Sequence, residues 1–152
     1  MTCGERWLAH WSDAESDEVM GTEAAGGAAP PKVLLVEADE SLTRMLRVSL
    51  AASGLDVTQA TCGDEALRAL ERGPTDAVIL DPGLPDGLGG TVLRRLRQLG
   101  QEGAPIWVVI SALDYQETTR RYGPVGDHFL TMPFDPWVLV GLLERLLLER
   151  GE

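Results

Sequence analysis

Ala77-Val78-Ile79-Leu80-Asp81-Pro82-Gly83-Leu84-Pro85-Asp86-Gly87 is the stretch on which the reading of this chain turns. Four apolar residues run without a polar interruption into an aspartate, and a Pro/Gly-rich turn follows. An apolar run of that length, bounded by turn residues, fits a strand buried on both faces of a parallel sheet. Asp81 is then the first residue to leave the core, at the carboxyl end of the strand. Open α/β sheets keep their ligands and chemistry at those ends. Taken alone, an Asp in that place is as readily the start of a turn. The surrounding chain has to decide.

Toward the N-terminus, Gly73-Pro74 closes a helical segment, Asp64 to Arg72, with Ala66, Leu67 and Leu70 on one side. Before it come a short strand from Leu55 to Ala60 and a helix whose Leu42, Met45, Leu46, Ser49 and Leu50 recur at helical spacing up to Gly54. Val33 to Val36 is a second buried strand. Toward the C-terminus, Thr91 to Leu99 is an arginine-studded helix with Val92, Leu93, Leu96 and Leu99 inward, and Ile106 to Ile110 is another apolar strand. The next helical slot, Asp114 to Tyr122, has almost no apolar stripe, and Gly123-Pro124 cuts it short. His128 to Thr131 is a last short strand. Asp135 is an N-cap with Pro136 at the first helical position, opening a helix to about Arg150. Strand and helix thus alternate five times. That pattern predicts an α/β fold, a doubly wound five-stranded parallel sheet with helices on both faces.

At 152 residues the chain is long enough for one domain with a real core. Its formal charge of −11 argues against nucleic acid or an anionic membrane as a direct partner. Cys3 and Cys62 sit in neither metal-ligand nor Cys-x-x-Cys spacing, so no disulfide framework is expected and a cytoplasmic location suits them. No apolar run is long enough to span a membrane, and the acidic N-terminus does not resemble a signal peptide. Residues 1–31 hold Glu5, Asp13, Glu15, Asp17, Glu18 and Glu23 against the single base Arg6, and end in Ala, Gly and Pro. They are expected to be a disordered acidic arm and linker, with the folded domain over 32–150. Trp7, Leu8 and Trp11 offer that arm at most one apolar turn.

The strands end at Glu37, Asp81, Ser111 and Met132-Pro133. In a doubly wound sheet these ends converge, which sets Glu37 and Asp81 on a shared crevice near Ser111. Two close carboxylates raise a pKa unless a cation compensates, and Mg²⁺, which takes oxygen ligands, is the natural one.

With these motifs the chain resembles the receiver domain of two-component response regulators, from Lys32 to about Arg150. The family carries an acidic pair after its first strand, a phospho-accepting Asp after the third, Thr/Ser-Ala after the fourth and Lys-Pro before the last helix. Here they read Val36-Glu37-Ala38-Asp39, Leu80-Asp81-Pro82-Gly83-Leu84-Pro85-Asp86-Gly87, Ile110-Ser111-Ala112 and Phe129-Leu130-Thr131-Met132-Pro133-Phe134. The resemblance implies a flavodoxin-like (βα)₅ fold with strand order 2-1-3-4-5. It implies that Asp81 accepts a phosphoryl group and that Glu37, Asp81 and the Gly83 carbonyl hold Mg²⁺. It further implies that Ser111 contacts the phosphoryl group and Phe129 fills an aromatic switch position. Two positions depart from the family. The second acid of the pair falls on Ala38, with Asp39 one residue late and its side chain turned elsewhere. The lysine falls on Met132, and the only lysine, Lys32, lies roughly 13 Å away at the other end of the first strand. The interval from Ser111 to Met132 is also about one residue short.

The expectation is a single-domain receiver in a phosphorelay, not an enzyme, taking phosphoryl groups from a sensor histidine kinase or a phosphotransfer protein. Its output would pass to a downstream protein target through contacts, since no effector domain follows Arg150. A phosphorylation-independent docking module is the alternative, on the strength of Ala38 and Met132. A small α/β enzyme or flavin carrier would want a Gly- or Ser/Thr-rich phosphate loop after the first strand, where this chain has Glu37-Ala38-Asp39-Glu40. Partner contact, including a homodimer, is expected through the last helix and the weak fourth one. Leu139, Leu142, Leu143 and Leu146 share the inner side of the last helix; Trp137 and Leu148 fall opposite, with Val140 and Leu147 widening the flank. Ser111 is read either as that phosphoryl contact or as the N-cap of the fourth helix.

Overall fold

The computed structural model describes residues 29–100 and 103–151, so the expected arm lies almost wholly outside the described residues. Strands β1 (Lys32–Val36), β2 (Asp56–Ala60), β3 (Ala77–Leu80), β4 (Ile106–Ser111) and β5 (Phe129–Thr131) form one sheet in the order β2-β1-β3-β4-β5. Every pairing is parallel. Helices α1 (Glu40–Ala52), α2 (Gly63–Arg72), α3 (Gly89–Gln98), α4 (Tyr115–Tyr122) and α5 (Pro136–Gly151) connect and follow the strands. The expected sheet and strand order are both observed.

The two faces of the sheet make two cores, and side-chain alternation along the strands divides the residues between them. Val33 and Leu35 pack with Leu46 and Leu50 of α1 and with Leu139, Val140 and Leu143 of α5. Leu34 and Val36 pack with Ala66 and Ala69 of α2 and with Val92, Leu93 and Leu96 of α3. On β3, Ala77 and Ile79 join the first core, Val78 and Leu80 the second. A strand covered on both sides needs an apolar residue at every position, which is why this one reads as an unbroken run. Each Leu or Ile buried this way contributes about 1.5–3 kcal/mol.

Some expectations are corrected. Val140 is fully buried rather than part of an exposed flank, because α5 turns a wider stripe to the sheet than its four leucines alone. Trp137 and Leu148 are exposed as expected, at 59% and 70%. On α1, Met45 points outward and Thr43 inward, where its hydroxyl donates to the Glu37 carbonyl. Cys62 takes part in a disulfide, against the expectation from cysteine spacing. Among the described residues no helix is long and apolar enough to cross a membrane.

The turn after β3 reaches across to α2. Asp86 Oδ1 accepts the Gly63 N–H at 3.0 Å, and Oδ2 accepts the Asp64 N–H at 3.0 Å. Asp86 therefore answers the first free amides of α2 from more than twenty residues further along the chain. Gly63 has to be glycine for this docking, since a Cβ there would run into Leu88 Cβ. Partial burial raises the Asp86 pKa, but the N–H groups of Asp64, Gly63 and Leu88 outweigh it and hold the carboxyl below its ordinary 3.8. Asp86→Ala should cost about 1 kcal/mol, the usual worth of an N-cap, read as a lower urea midpoint. Because the folded-state pKa is depressed, the difference from wild type should be full at neutral pH and shrink as pH falls below about 4.

Candidate functional site

The register of the two central strands builds the site. Val36 lies opposite Leu80, so the next residues, Glu37 and Asp81, emerge side by side from adjacent strands. Main-chain bonds continue past the strand ends and fix both: the Glu37 N–H donates to the Ala60 carbonyl, and the Asp81 N–H to the Val36 carbonyl, each at 3.0 Å. Neighbouring parallel strands sit about 4.8 Å apart, which sets the scale of the gap between the acids.

Glu37 is nearly enclosed, with 3% of its surface exposed. Its Oε1 accepts the Asp39 N–H at 3.1 Å, while Oε2 is buried without a hydrogen-bonding partner. Burial, then a hydrogen bond to Asp81 and the Asp81 charge, push the Glu37 carboxyl from 4.5 up to about 8. The Asp39 N–H works against this rise and the Asp39 charge adds to it. At neutral pH Oε2 therefore either keeps a proton, shared with Asp81, or meets a cation. Asp81 is half-buried and its Oδ1 accepts the Gly83 N–H at 2.9 Å.

Asp39, the nearest further acid, is spoken for. Its Oδ1 accepts the Leu42 N–H at 2.8 Å and caps α1. Among the described residues no three acidic, histidine or cysteine side chains gather into a metal centre. The ion pairs found there run along helix surfaces, Arg68–Asp64, Arg120 and Arg121 with Glu117, and Arg145–Glu149, and none reaches Glu37 or Asp81. A cation held here would take Glu37 Oε2, Asp81 and the Gly83 carbonyl, the orphaned oxygen being the feature that fits it.

Ser111 closes the crevice on the β4 side and is buried. Its Oγ accepts the Leu113 N–H at 3.1 Å. It does not cap α4, because Asp114 does, through the Glu117 N–H at 2.8 Å. Met132 follows β5 and its N–H donates to the Ser111 carbonyl at 2.7 Å. Position 132 is thus beside the site, and it presents an uncharged thioether. Lys32 opens β1 at the far end of the sheet, as expected. Phe129 sits in β5 opposite Val109, its ring edge-to-face with Tyr115 of α4 at a centroid distance of 5.6 Å.

Four of the five predicted site positions, Glu37, Asp81, Gly83 and Ser111, therefore lie at the carboxyl ends of the strands or in the turn directly after β3, while Phe129 opens β5, two residues before its carboxyl end. Two residues of the same region were not foreseen. Thr118 of α4 is fully buried with its hydroxyl 3.1 Å from Ser111 Oγ. Tyr122 arches over the turn, and a Cβ on Gly83 would lie 3.7 Å from its hydroxyl and 3.4 Å from Asp81 Oδ1. The i, i+3, i+7 spacing of Tyr115, Thr118 and Tyr122 was the available signal; polar and aromatic residues do not register as an apolar stripe.

The family model described as the response regulator receiver domain matches residues 33–144. The transcriptional regulatory protein KdpE of Mycobacterium tuberculosis is 37% identical over 102 residues, covering 67% of this chain and 44% of that protein. The phosphate regulon transcriptional regulatory protein PhoB of Rhizobium meliloti is 35% identical over 119 residues, covering 77% and 52%. The chain thus spans about half the length of these relatives. Among solved structures, the non-phosphorylated HemR receiver domain of Leptospira biflexa matches with a TM-score of 0.66 and 29% identity, over 77% of this chain and 94% of that one. The receiver domain of a sensor histidine kinase from Pseudomonas aeruginosa PAO1, whose structure has magnesium coordinated in its active-site cleft, matches with a TM-score of 0.68 and 28% identity, over 78% and 98%. The match in sequence runs through both acids and all five strands, and the match in structure through most of the chain; this protein belongs to the response regulator receiver domain family.

Proposed function

We propose that the chain is a phosphoryl carrier of a two-component phosphorelay in the cytoplasm, with Asp81 as acceptor and a weakened pocket around it. It carries a signal rather than turning over a substrate. The observation that supports this most is the pairing of Asp81 with a buried, half-satisfied Glu37 on adjacent strand ends, next to the Ser111 hydroxyl. The donor is a phosphohistidine of a sensor kinase or a phosphotransfer protein. Asp81 Oδ1 is engaged by the Gly83 N–H, which leaves Oδ2 to attack phosphorus. The P–O bond forms as the P–N bond breaks, and the imidazole leaves with the electron pair. Glu37, Asp81 and the Gly83 carbonyl would hold Mg²⁺, which supplies charge neutralisation at the phosphoryl oxygens. Ser111 donates to one of those oxygens.

The pocket lacks two charges that the family pattern provides. Ala38 leaves the cation one carboxylate short, and Met132 leaves the phosphoryl group without an ammonium partner. One such electrostatic contact is typically worth about 3 kcal/mol to a reacting group, and two at one site do not simply add. The same two residues favour the second reading, a docking module that works without phosphate. Intact-mass measurement after incubation with a small phosphodonor and Mg²⁺ separates the two. We expect slow, partial labelling of wild type, none for Asp81→Asn, and a higher yield for Ala38→Asp combined with Met132→Lys. Rapid, complete labelling of wild type would refute the weakened pocket; an unlabelled double variant would leave the docking module.

Glu37 adds a pH dependence. Its folded-state pKa is raised, so the folded protein holds a proton that the unfolded chain releases. Stability measured in chelator should therefore decline from about pH 4.5 to about pH 8 and level off above. Glu37→Gln should remove that decline. Added Mg²⁺ should stabilise wild type more at the upper end of this window than at the lower, because proton and cation compete for the same oxygen.

Output is proposed to run through the α4 and α5 surfaces, including self-association. Trp137 and Leu148 stand exposed on α5 and Tyr115 on α4. Trp137→Glu with Leu148→Glu should shift sedimentation toward the monomer. An unchanged profile would move that contact to another face.

A further inference from the structure

The sequence marks α4 as the weakest helix, and the structure shows what holds it. Thr118 is its only fully buried residue. A helix whose one fully buried side chain is a threonine depends in part on what that hydroxyl does. Thr118 Oγ1 lies 2.8 Å from the Asp114 carbonyl, 3.1 Å from Ser111 Oγ and 3.4 Å from the Leu113 carbonyl. A hydroxyl has one proton, so it serves one of these acceptors at a time.

Two arrangements satisfy the pair. In the first, Thr118 donates to the Asp114 carbonyl, the shortest of its contacts, and Ser111 donates to Thr118. The Ser111 proton is then taken up by Thr118 and is not available to a phosphoryl oxygen. In the second, Thr118 donates to Ser111 Oγ. Ser111 then accepts from both the Leu113 N–H and Thr118, and its own proton is free for a phosphoryl oxygen. Reversing one buried hydrogen bond exchanges the two, and the change reaches α4 because Thr118 lets go of the Asp114 carbonyl. Tyr115 and Tyr122 flank Thr118 on the same stripe, one against Phe129 and the other over Gly83.

We propose that Thr118 is the positioning residue of Ser111, and that the direction of the Thr118–Ser111 hydrogen bond couples the state of Asp81 to α4. This rests on the acceptor reading given above. The coupling is local: two hydroxyls biasing a short helix with little apolar burial of its own.

Thr118→Val keeps the shape and removes the hydroxyl, and Thr118→Ser keeps the hydroxyl. The probe is beryllofluoride with Mg²⁺, a phosphoryl mimic, added to the full chain, with hydrogen exchange of the Thr118–Tyr122 amides as readout. In wild type beryllofluoride should alter exchange in α4. In Thr118→Val the Ser111 proton has no competing acceptor to leave, so beryllofluoride should bind about tenfold more tightly, the worth of one hydrogen bond, and leave α4 exchange unchanged. Thr118→Ser should restore both. Wild-type affinity and a wild-type α4 response in Thr118→Val would overturn the proposal. A second measurement needs no ligand: the stability effects of Ser111→Ala and Thr118→Val should be non-additive in a double-mutant cycle. Additive effects would overturn the hydroxyl pairing itself. A wild type that takes no beryllofluoride, with a non-additive cycle, would overturn the acceptor reading and the transmission while leaving the pairing in place.

Discussion

The parallel register that sets Val36 against Leu80 is the constraint on which the molecule depends. It is fixed by packing: a slip of one residue would exchange the β1 side chains between two cores of different shape and draw the flanking Lys32 or Glu37 into the apolar layer. With the register locked, Glu37 and Asp81 have no choice but to emerge together. The sheet thus holds two acids at close range that would separate in water, at a standing electrostatic cost. That cost is visible in the raised Glu37 carboxyl and its orphaned oxygen. Asp39 does not share the load, because starting α1 is the better use of its carboxylate.

Around this pair the molecule is uneven. At its centre, along β1 and β3, the frame is apolar and closed, with α1 and α5 packed on one face and α2 and α3 on the other. On the β5 side it is thinner. The edge strand has three residues, all incompletely buried, and α4 is held by a threonine and two tyrosines. The order of stability follows the order of apolar burial, and the elements touching Ser111 and Phe129 belong to the less firmly held part.

Much of this was legible in the sequence, for a definite reason. The apolar runs at Val33 to Val36 and Ala77 to Leu80, and the breaks at Gly54 and Gly73-Pro74, report burial and termination directly, so the fold and the strand-end acids could be read. What could not be read depends on contacts between distant segments. Nothing local tells that Asp86 caps α2, since the Gly63 and Asp64 N–H groups that it accepts lie more than twenty residues back. Val140 looked like a flank residue because helical phase alone does not give the width of the stripe that a sheet will cover. Thr118 was missed because a buried hydroxyl resembles an exposed one until its partner, seven residues back at the end of another element, is known.

The cap that Asp86 places on α2 bears on the order in which the chain assembles. A helix normally begins with a residue just ahead of it, so its first turn forms as soon as the segment exists. Here the immediate N-cap, Cys62, makes no side-chain capping bond, and the acceptor arrives only after β3 has been laid down and its turn has folded back. The first turn of α2 is therefore a non-local structure, and closing the intervening loop is an entropic toll on forming it. Its later turns carry Ala66 and Ala69 against β1 and gain from collapse at once. The first turn of α2 and the turn beside Asp81 thus complete each other, and neither has its full set of hydrogen bonds without the other.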